Sequence, residues 1–184
     1  MGMKMGANQE ITKVGKSTKL QIFIGMISVL MLVALDQFVK NLVVLSLKGK
    51  ESIVIIKGVF EFEYLENRGA AFSILQGQRS IFIILTIFVV AFIAWEFIRI
   101  PQDKKYLFLR ITFILVLSGA IGNVIDRIVN QYVVDFIYFS LINFPHFNLA
   151  DSYMTIAVAL LIILTLFYYK EDELDFLFHF KSKK

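Results

Sequence analysis

Residues 106–127 read YLFLRITFILVLSGAIGNVIDR, and this stretch decides the class of fold. Its first twenty residues are mostly apolar, and at 1.5 Å per helical residue they cover about 30 Å, the hydrocarbon thickness of a bilayer. The run then ends in Asn123, Asp126 and Arg127, so one end of the span is strongly polar. Three further stretches have the same character: residues 20–45, 80–100 and 150–169. The whole chain of 184 residues agrees, with 58% hydrophobic and 18% charged residues and a mean hydropathy of +0.71. Soluble domains average about 45–50% apolar and about 25% charged residues. The reading is an integral membrane protein, mainly α, with four transmembrane helices in residues 20–169 and short polar tails at 1–19 and 170–184.

Composition and charge exclude several functions. The chain has no Cys and only two His, His146 and His179, which removes thiol chemistry and leaves too few ligands for a zinc centre. No metal or cofactor is expected. The net charge of +4 does not point to nucleic acid, because the cations flank the spans. Lys4, Lys13, Lys16 and Lys19 precede the first span, Arg99, Lys104, Lys105 and Arg110 lie around the second connection, and Lys170, Lys181, Lys183 and Lys184 follow the last span. The third connection carries only Arg127, and the five cations of the first are offset by Glu51, Glu61, Glu63 and Glu66. The positive-inside rule therefore places both termini in the cytoplasm. The first span lacks a small-residue cleavage site and continues through Asp36, Gln37 and Lys40, so it is read as a retained helix rather than a cleaved signal.

Between residues 46 and 79 the period changes. Residues 52–56 are mostly β-branched, Lys57-Gly58 reads as a turn, and residues 59–65 alternate Phe60, Phe62 and Tyr64 with Glu61 and Glu63. This predicts a small extracytoplasmic β element resting on the bundle, with a short helix over 68–75 leading to the second span. The tail from residue 171 mixes charge with Phe176, Phe178 and Phe180 and is placed at the inner interface.

A charge at the centre of a spanning helix costs at least about 2.5–3.5 kcal/mol, so each one needs a reason. Depth supplies the first clue: Asp36 lies roughly 24 Å above Leu20 and Asp126 roughly 30 Å above Tyr106, both at the outer surface. Asp151 opens the span that descends from that surface, and Asp135 lies in the loop before it. Each has a purely structural reading. Asp36 and Lys40 are i and i+4, a ready ion pair. Asp126 shares a face with Asn123 and adjoins Arg127, which is able to grip a carboxylate bidentately. Asn148 and Asp151 have the spacing of a helix capping box, Asn67 is able to start a short helix, and Asp135 would be an exposed loop acid. Ser118 and Gly122 permit close helix approach, as do Gly69, Ala70 and Ala71 for backbone. His146, beside Pro145, reads as an interfacial side chain.

What distinguishes the acids is their company. Asp36 and Asp126 have cationic or amide neighbours in register, whereas Asp135 and Asp151 have no basic residue at helical spacing. If folding joins these two, they form a pair able to share a proton and activate water for peptide hydrolysis. No G-x-S-x-G elbow or H-E-x-x-H helix offers another hydrolytic chemistry.

Five segments together, DQFVK at 36–40, NRGAAF at 67–72, GNVIDR at 122–127, VVDF at 133–136 and FNLADS at 147–152, resemble the bacterial lipoprotein signal peptidases, signal peptidase II. The resemblance covers residues 20–169. It implies an aspartic endopeptidase of the bacterial cytoplasmic membrane that removes the signal peptide from diacylglyceryl-modified prolipoproteins, cutting before the lipidated Cys. It further implies four spans with an extracytoplasmic β-cradle, an active site at the outer face, contact with membrane lipid, and inhibition by globomycin-type cyclic peptides. The family's catalytic pair maps onto Asp135 and Asp151. Its supporting residues map onto Asp36, Lys40, Asn67, Gly69, Asn123, Asp126, Arg127, Asn148 and Ala150.

Two other classes remain in view. A proton- or ion-coupled carrier also uses intramembrane carboxylates, but such groups commonly sit near the midplane between repeated halves, and no repeat is visible here. A purely structural bundle would give Asp135 and Asp151 no reason to meet.

Overall fold

In the computed structural model, residues 2–69 and 79–177 are described, with side chains at 19–69 and 80–177. The chain forms four long helices, α1 (Gly2–Leu47), α2 (Arg79–Arg99), α3 (Leu107–Val129) and α4 (Leu149–Ile163, prolonged by a π-helical turn Leu164–Tyr168). Four helical stretches are long and apolar enough to cross a bilayer, at Lys19–Leu47, Ser80–Arg99, Lys104–Val129 (α3 with the 3-10 turn Lys104–Tyr106 before it) and Leu149–Tyr168. Their outward faces carry bare hydrocarbon, among them Met31, Phe88 and Phe167, the pattern of a protein solvated by lipid. α1 begins well before the apolar run, so helix continues through the polar segment that the sequence alone marks as a tail.

α3 is the central helix and packs against the other three. Small residues make this closeness available. A Cβ on Gly122 would lie 2.6 Å from Asp36 Oδ2 and 3.4 Å from the Ala150 side chain, so α1 and α4 both reach the α3 backbone there. Thr112 and Ser118 return their hydroxyls to the carbonyls of Phe108 and Ile114, which satisfies them inside the bundle.

At one end of the bundle lies an antiparallel sheet in the order β1 (Ile53–Ile56), β2 (Phe60–Asn67), β3 (Val133–Tyr138). The β1–β2 hairpin turns at Lys57-Gly58 as the sequence suggests, with Gly58 at φ +70°. The third strand differs from the sequence expectation, which places Asp135 in a loop. Val133, Val134, Asp135 and Phe136 are all buried, so both faces of β3 are covered and the alternation that marks a half-exposed strand is missing. The register sets Leu65 opposite Asp135 and Asn67 opposite Val133.

The other end is closed by the start of the C-terminal segment. Tyr106 stacks on Tyr169, their hydroxyls donate to the carbonyls of Glu173 and Lys105 respectively, Lys105 pairs with Glu173, and Leu177 is buried against Phe97, Ile100 and Leu109. Phe178, Phe180 and the expected short helix over 68–75, apart from its first two residues, lie outside the described residues.

Candidate active site

Asp135 comes from β3 and Asp151 from the first turn of α4. Two backbone features bring them together. Phe147 accepts hydrogen bonds from Phe136 N and Ile137 N and donates to Ile137 O, which ties the chain just before α4 onto β3. Asn148 then caps α4: its Oδ1 accepts from Asp151 N at 3.0 Å, while Asp151 Oδ2 accepts from Asn148 N at 3.1 Å. The capping box expected from the FNLADS spacing is thus present, and it also serves the site. The same Asn148 donates its Nδ2 to Asp135 Oδ1 at 2.6 Å.

Four donors hold the two acids. Asp135 receives Asn67 Nδ2 at 2.8 Å on its other oxygen, and Asp151 receives Asn123 Nδ2 at 2.7 Å. Asp135 is 1% exposed. Burial, and next the negative charge of Asp151, pushes its carboxyl up from 3.8 to about 7, against the pull of the Asn67 and Asn148 hydrogen bonds.

Beneath the pair lies a second polar layer. Lys40 Nζ stands 2.9 Å from Asp36 Oδ2, 3.0 Å from Asp126 Oδ2 and 3.0 Å from Asn123 Oδ1, so its three N–H groups each have an acceptor. The ion pair expected between Asp36 and Lys40 forms, but Asp126 takes the same lysine rather than resting on Asn123 and Arg127. Asp36 Oδ1 accepts from Ala150 N at 3.0 Å, and Asp126 Oδ2 accepts from Val134 N at 3.2 Å.

Arg127 donates to the carbonyls of Asn123 and Gly69 at 3.4 and 3.5 Å and lies over the Phe82 ring. Its contacts are therefore to backbone and ring, not the bidentate carboxylate grip its neighbours suggested. Gly69 is buried with its carbonyl turned to Arg127, and its N–H donates to Asn67 Oδ1, fixing the amide that faces Asp135. Ala70 and Ala71 lie outside the described residues. His146 stacks flat on Tyr138 at 4.2 Å and meets Glu63 Oε2 at 3.1 Å. Gln37 was missed in the sequence. It touches Asp36, Asp126 and the Gly122 carbonyl, yet a glutamine one position past an aspartate carries no signal of its own.

Asp135 and Asp151 line one cavity of about 1150 Å³, together with Asn67, Asn123 and Arg127. Much of its remaining wall is apolar, supplied by Phe139, Ile142, Phe144, Phe147, Met154 and Ile156. One buried carboxyl and one half-buried one, polar donors and a long apolar flank suit hydrolysis of a chain that is partly peptide and partly hydrocarbon.

Comparison with known proteins points the same way. The family model for signal peptidase (SPase) II matches residues 28–167. The lipoprotein signal peptidase of Streptococcus thermophilus strain CNRZ 1066 is 46% identical over 138 residues, covering 75% of this chain and 89% of that protein. The lipoprotein signal peptidase of Halothermothrix orenii is 45% identical over 137 residues, covering 74% and 91%. A bacterial membrane enzyme solved by the in meso method superposes with a TM-score of 0.69 at 34% identity, over 78% of this chain and 87% of that one.

Proposed function

Since the chain belongs to the signal peptidase II family, we propose that Asp135 and Asp151 are its catalytic pair and that it acts on diacylglyceryl-modified prolipoproteins at the outer face of the bacterial cytoplasmic membrane. It is a membrane protease that removes prolipoprotein signal peptides. The observation that carries the catalytic assignment is the meeting of two acids from different elements on one cavity, with Asn148 bonded to both.

The pair holds one proton at neutral pH, because burial and mutual repulsion oppose a second charge. The ionised acid takes a proton from a water held between the two, and the water oxygen bonds to the scissile carbonyl carbon. The protonated acid donates to the carbonyl oxygen as it gains charge. When the C–N bond breaks, the leaving nitrogen receives the proton first taken from water while the hydroxyl formed at the former carbonyl oxygen returns its proton to the other acid, so the pair ends with one shared proton. Asn67, Asn123 and Asn148 keep the carboxylate oxygens aimed, so little reorganisation is needed as charge moves.

The apolar wall from Phe139 to Ile156 accommodates the acyl chains of the lipidated Cys, which remain in hydrocarbon while the peptide enters between β2 and α4. The distribution of Lys and Arg keeps both termini cytoplasmic and the sheet end outside. Globomycin-type cyclic peptides, as the family resemblance implies, compete with substrate for the same surface.

The test is cleavage of a diacylglyceryl precursor by the purified protein in lipid, compared with Asp135→Asn and Asp151→Asn. Each variant should insert and fold but leave the precursor intact. Near wild-type turnover by folded Asp135→Asn would overturn the assignment.

A further inference from the structure

Gln37 does not line the cavity, yet it joins the parts that do. Its Nε2 lies 3.2 Å from Asp36 Oδ2, 3.1 Å from Asp126 Oδ1 and 3.2 Å from the Gly122 carbonyl oxygen. All three partners are acceptors, so the carboxamide has one workable orientation, with its NH2 turned into the bundle.

The two acids it touches have a particular reach. Asp36 binds the backbone N–H of Ala150, the residue before Asp151, and Asp126 binds the backbone N–H of Val134, the residue before Asp135. A continuous chain of contacts therefore runs from the α4 backbone through Asp36, Gln37 and Asp126 to the β3 backbone. Its two ends are the positions next to the two acids of the cavity. Lys40 makes a parallel link between the same carboxylates and also reaches Asn123. An ammonium alone would draw both carboxylates toward one point. The amide adds a second donor to the same Asp36 oxygen and one to the other oxygen of Asp126, so that each carboxylate is held by Lys40, by Gln37 and by one backbone N–H, and its direction is set.

The geometry points to Gln37 as a positioning residue for the peptidase reaction, one that sets the spacing between Asp135 and Asp151 through Asp126 and Asp36. This rests on the catalytic reading given above. Gln37 touches neither substrate nor the reacting atoms. Its removal should therefore leave substrate binding alone and slow the chemical step, which is sensitive to sub-ångström placement of the pair.

The experiment compares Gln37→Met, of similar length and without a donor, with wild type in steady-state cleavage of a diacylglyceryl precursor in lipid. Assays are run well below each protein's measured Tm, so that every molecule is folded. Gln37→Met should lose about ten- to a hundred-fold in kcat with KM within about two-fold of wild type. A role in stability alone would lower Tm and leave kcat untouched, and that result overturns the inference. If Gln37→Met does not fold, Gln37→Asn, which keeps the amide but is too short to reach both acids, is read by the same criterion. Asp135→Asn in the same assay separates the two claims. An inactive Asp135→Asn beside a fully active Gln37 variant refutes only the positioning role, whereas an active Asp135→Asn removes the catalytic reading and the inference with it.

Discussion

Replacing Asp135 with Asn should make the folded protein more stable at alkaline pH while abolishing its activity. The carboxyl is 1% exposed and its pKa stands at about 7 against 3.8 for a free aspartate. The folded state thus binds this proton more tightly than the unfolded chain. Its contribution to stability is complete below about pH 4 and is lost as pH rises through about 7. At 1.36 kcal/mol per unit, the ionised carboxyl withholds about 4 kcal/mol from the fold at pH 9. Asn removes that cost but introduces another. The Asn67 and Asn148 amides donate to the two carboxylate oxygens at 2.8 and 2.6 Å. An Asn side chain offers one oxygen and one NH2, so one donor loses its acceptor, at about 1–3 kcal/mol. The net gain at pH 9 is about 1–3 kcal/mol, or a Tm rise of about 2–12 °C at about 2–4 °C per kcal/mol. At pH 5 folded Asp135 is protonated and the withheld amount falls to about 1–2 kcal/mol, which the lost hydrogen bond offsets, so Asp135→Asn should be equal to wild type or less stable. Thermal unfolding of both proteins in detergent micelles at the two pH values measures this. An Asp135→Asn that is less stable by the same margin at pH 5 and pH 9 would refute the reasoning and make Asp135 an ionised structural acid.

Other perturbations separate scaffold from chemistry. Lys40→Met leaves Asp36 and Asp126 buried without their cation, and should cost about 3–5 kcal/mol, a Tm fall of about 6–20 °C; an unchanged Tm would mean that the layer is not held by charge. Gly119→Ala places a Cβ 2.4 Å from the Ala150 carbonyl oxygen, backbone that moves only with the first turn of α4, so it should destabilise by about 1–3 kcal/mol and slow cleavage by displacing Asp151. Cysteines introduced at Lys57 and Asn130 should react with an impermeant reagent added outside intact cells, and one at Lys104 should not; the opposite pattern would invert the orientation.

Four spans, the β1–β2 hairpin, the helix cap at Asn148 and the Asp36–Lys40 pair are legible in the sequence because each depends on neighbours within a few positions. A run of apolar residues buries the same backbone in lipid whatever surrounds it, and an i, i+4 pair or a capping box closes within one helical turn. β3 was not legible, because a strand covered on both faces has no alternation, and its partner β2 lies about seventy residues earlier. The site divides the same way. The five motifs that resemble one family locate its side chains, but their links are long-range: Lys40 to Asp126, Ala150 N to Asp36, Val134 N to Asp126, and Gln37 between the two acids. Backbone N–H groups carry no residue identity, and a glutamine on a helix face is compatible with solvent, lipid or a buried carboxylate. Only packing of α1 against the Gly122 face of α3, with α4 and β3 drawn in by their backbone amides, decides which of these it meets, because hydrogen bonds act over about 3 Å while the sequence separates their partners by up to 114 positions.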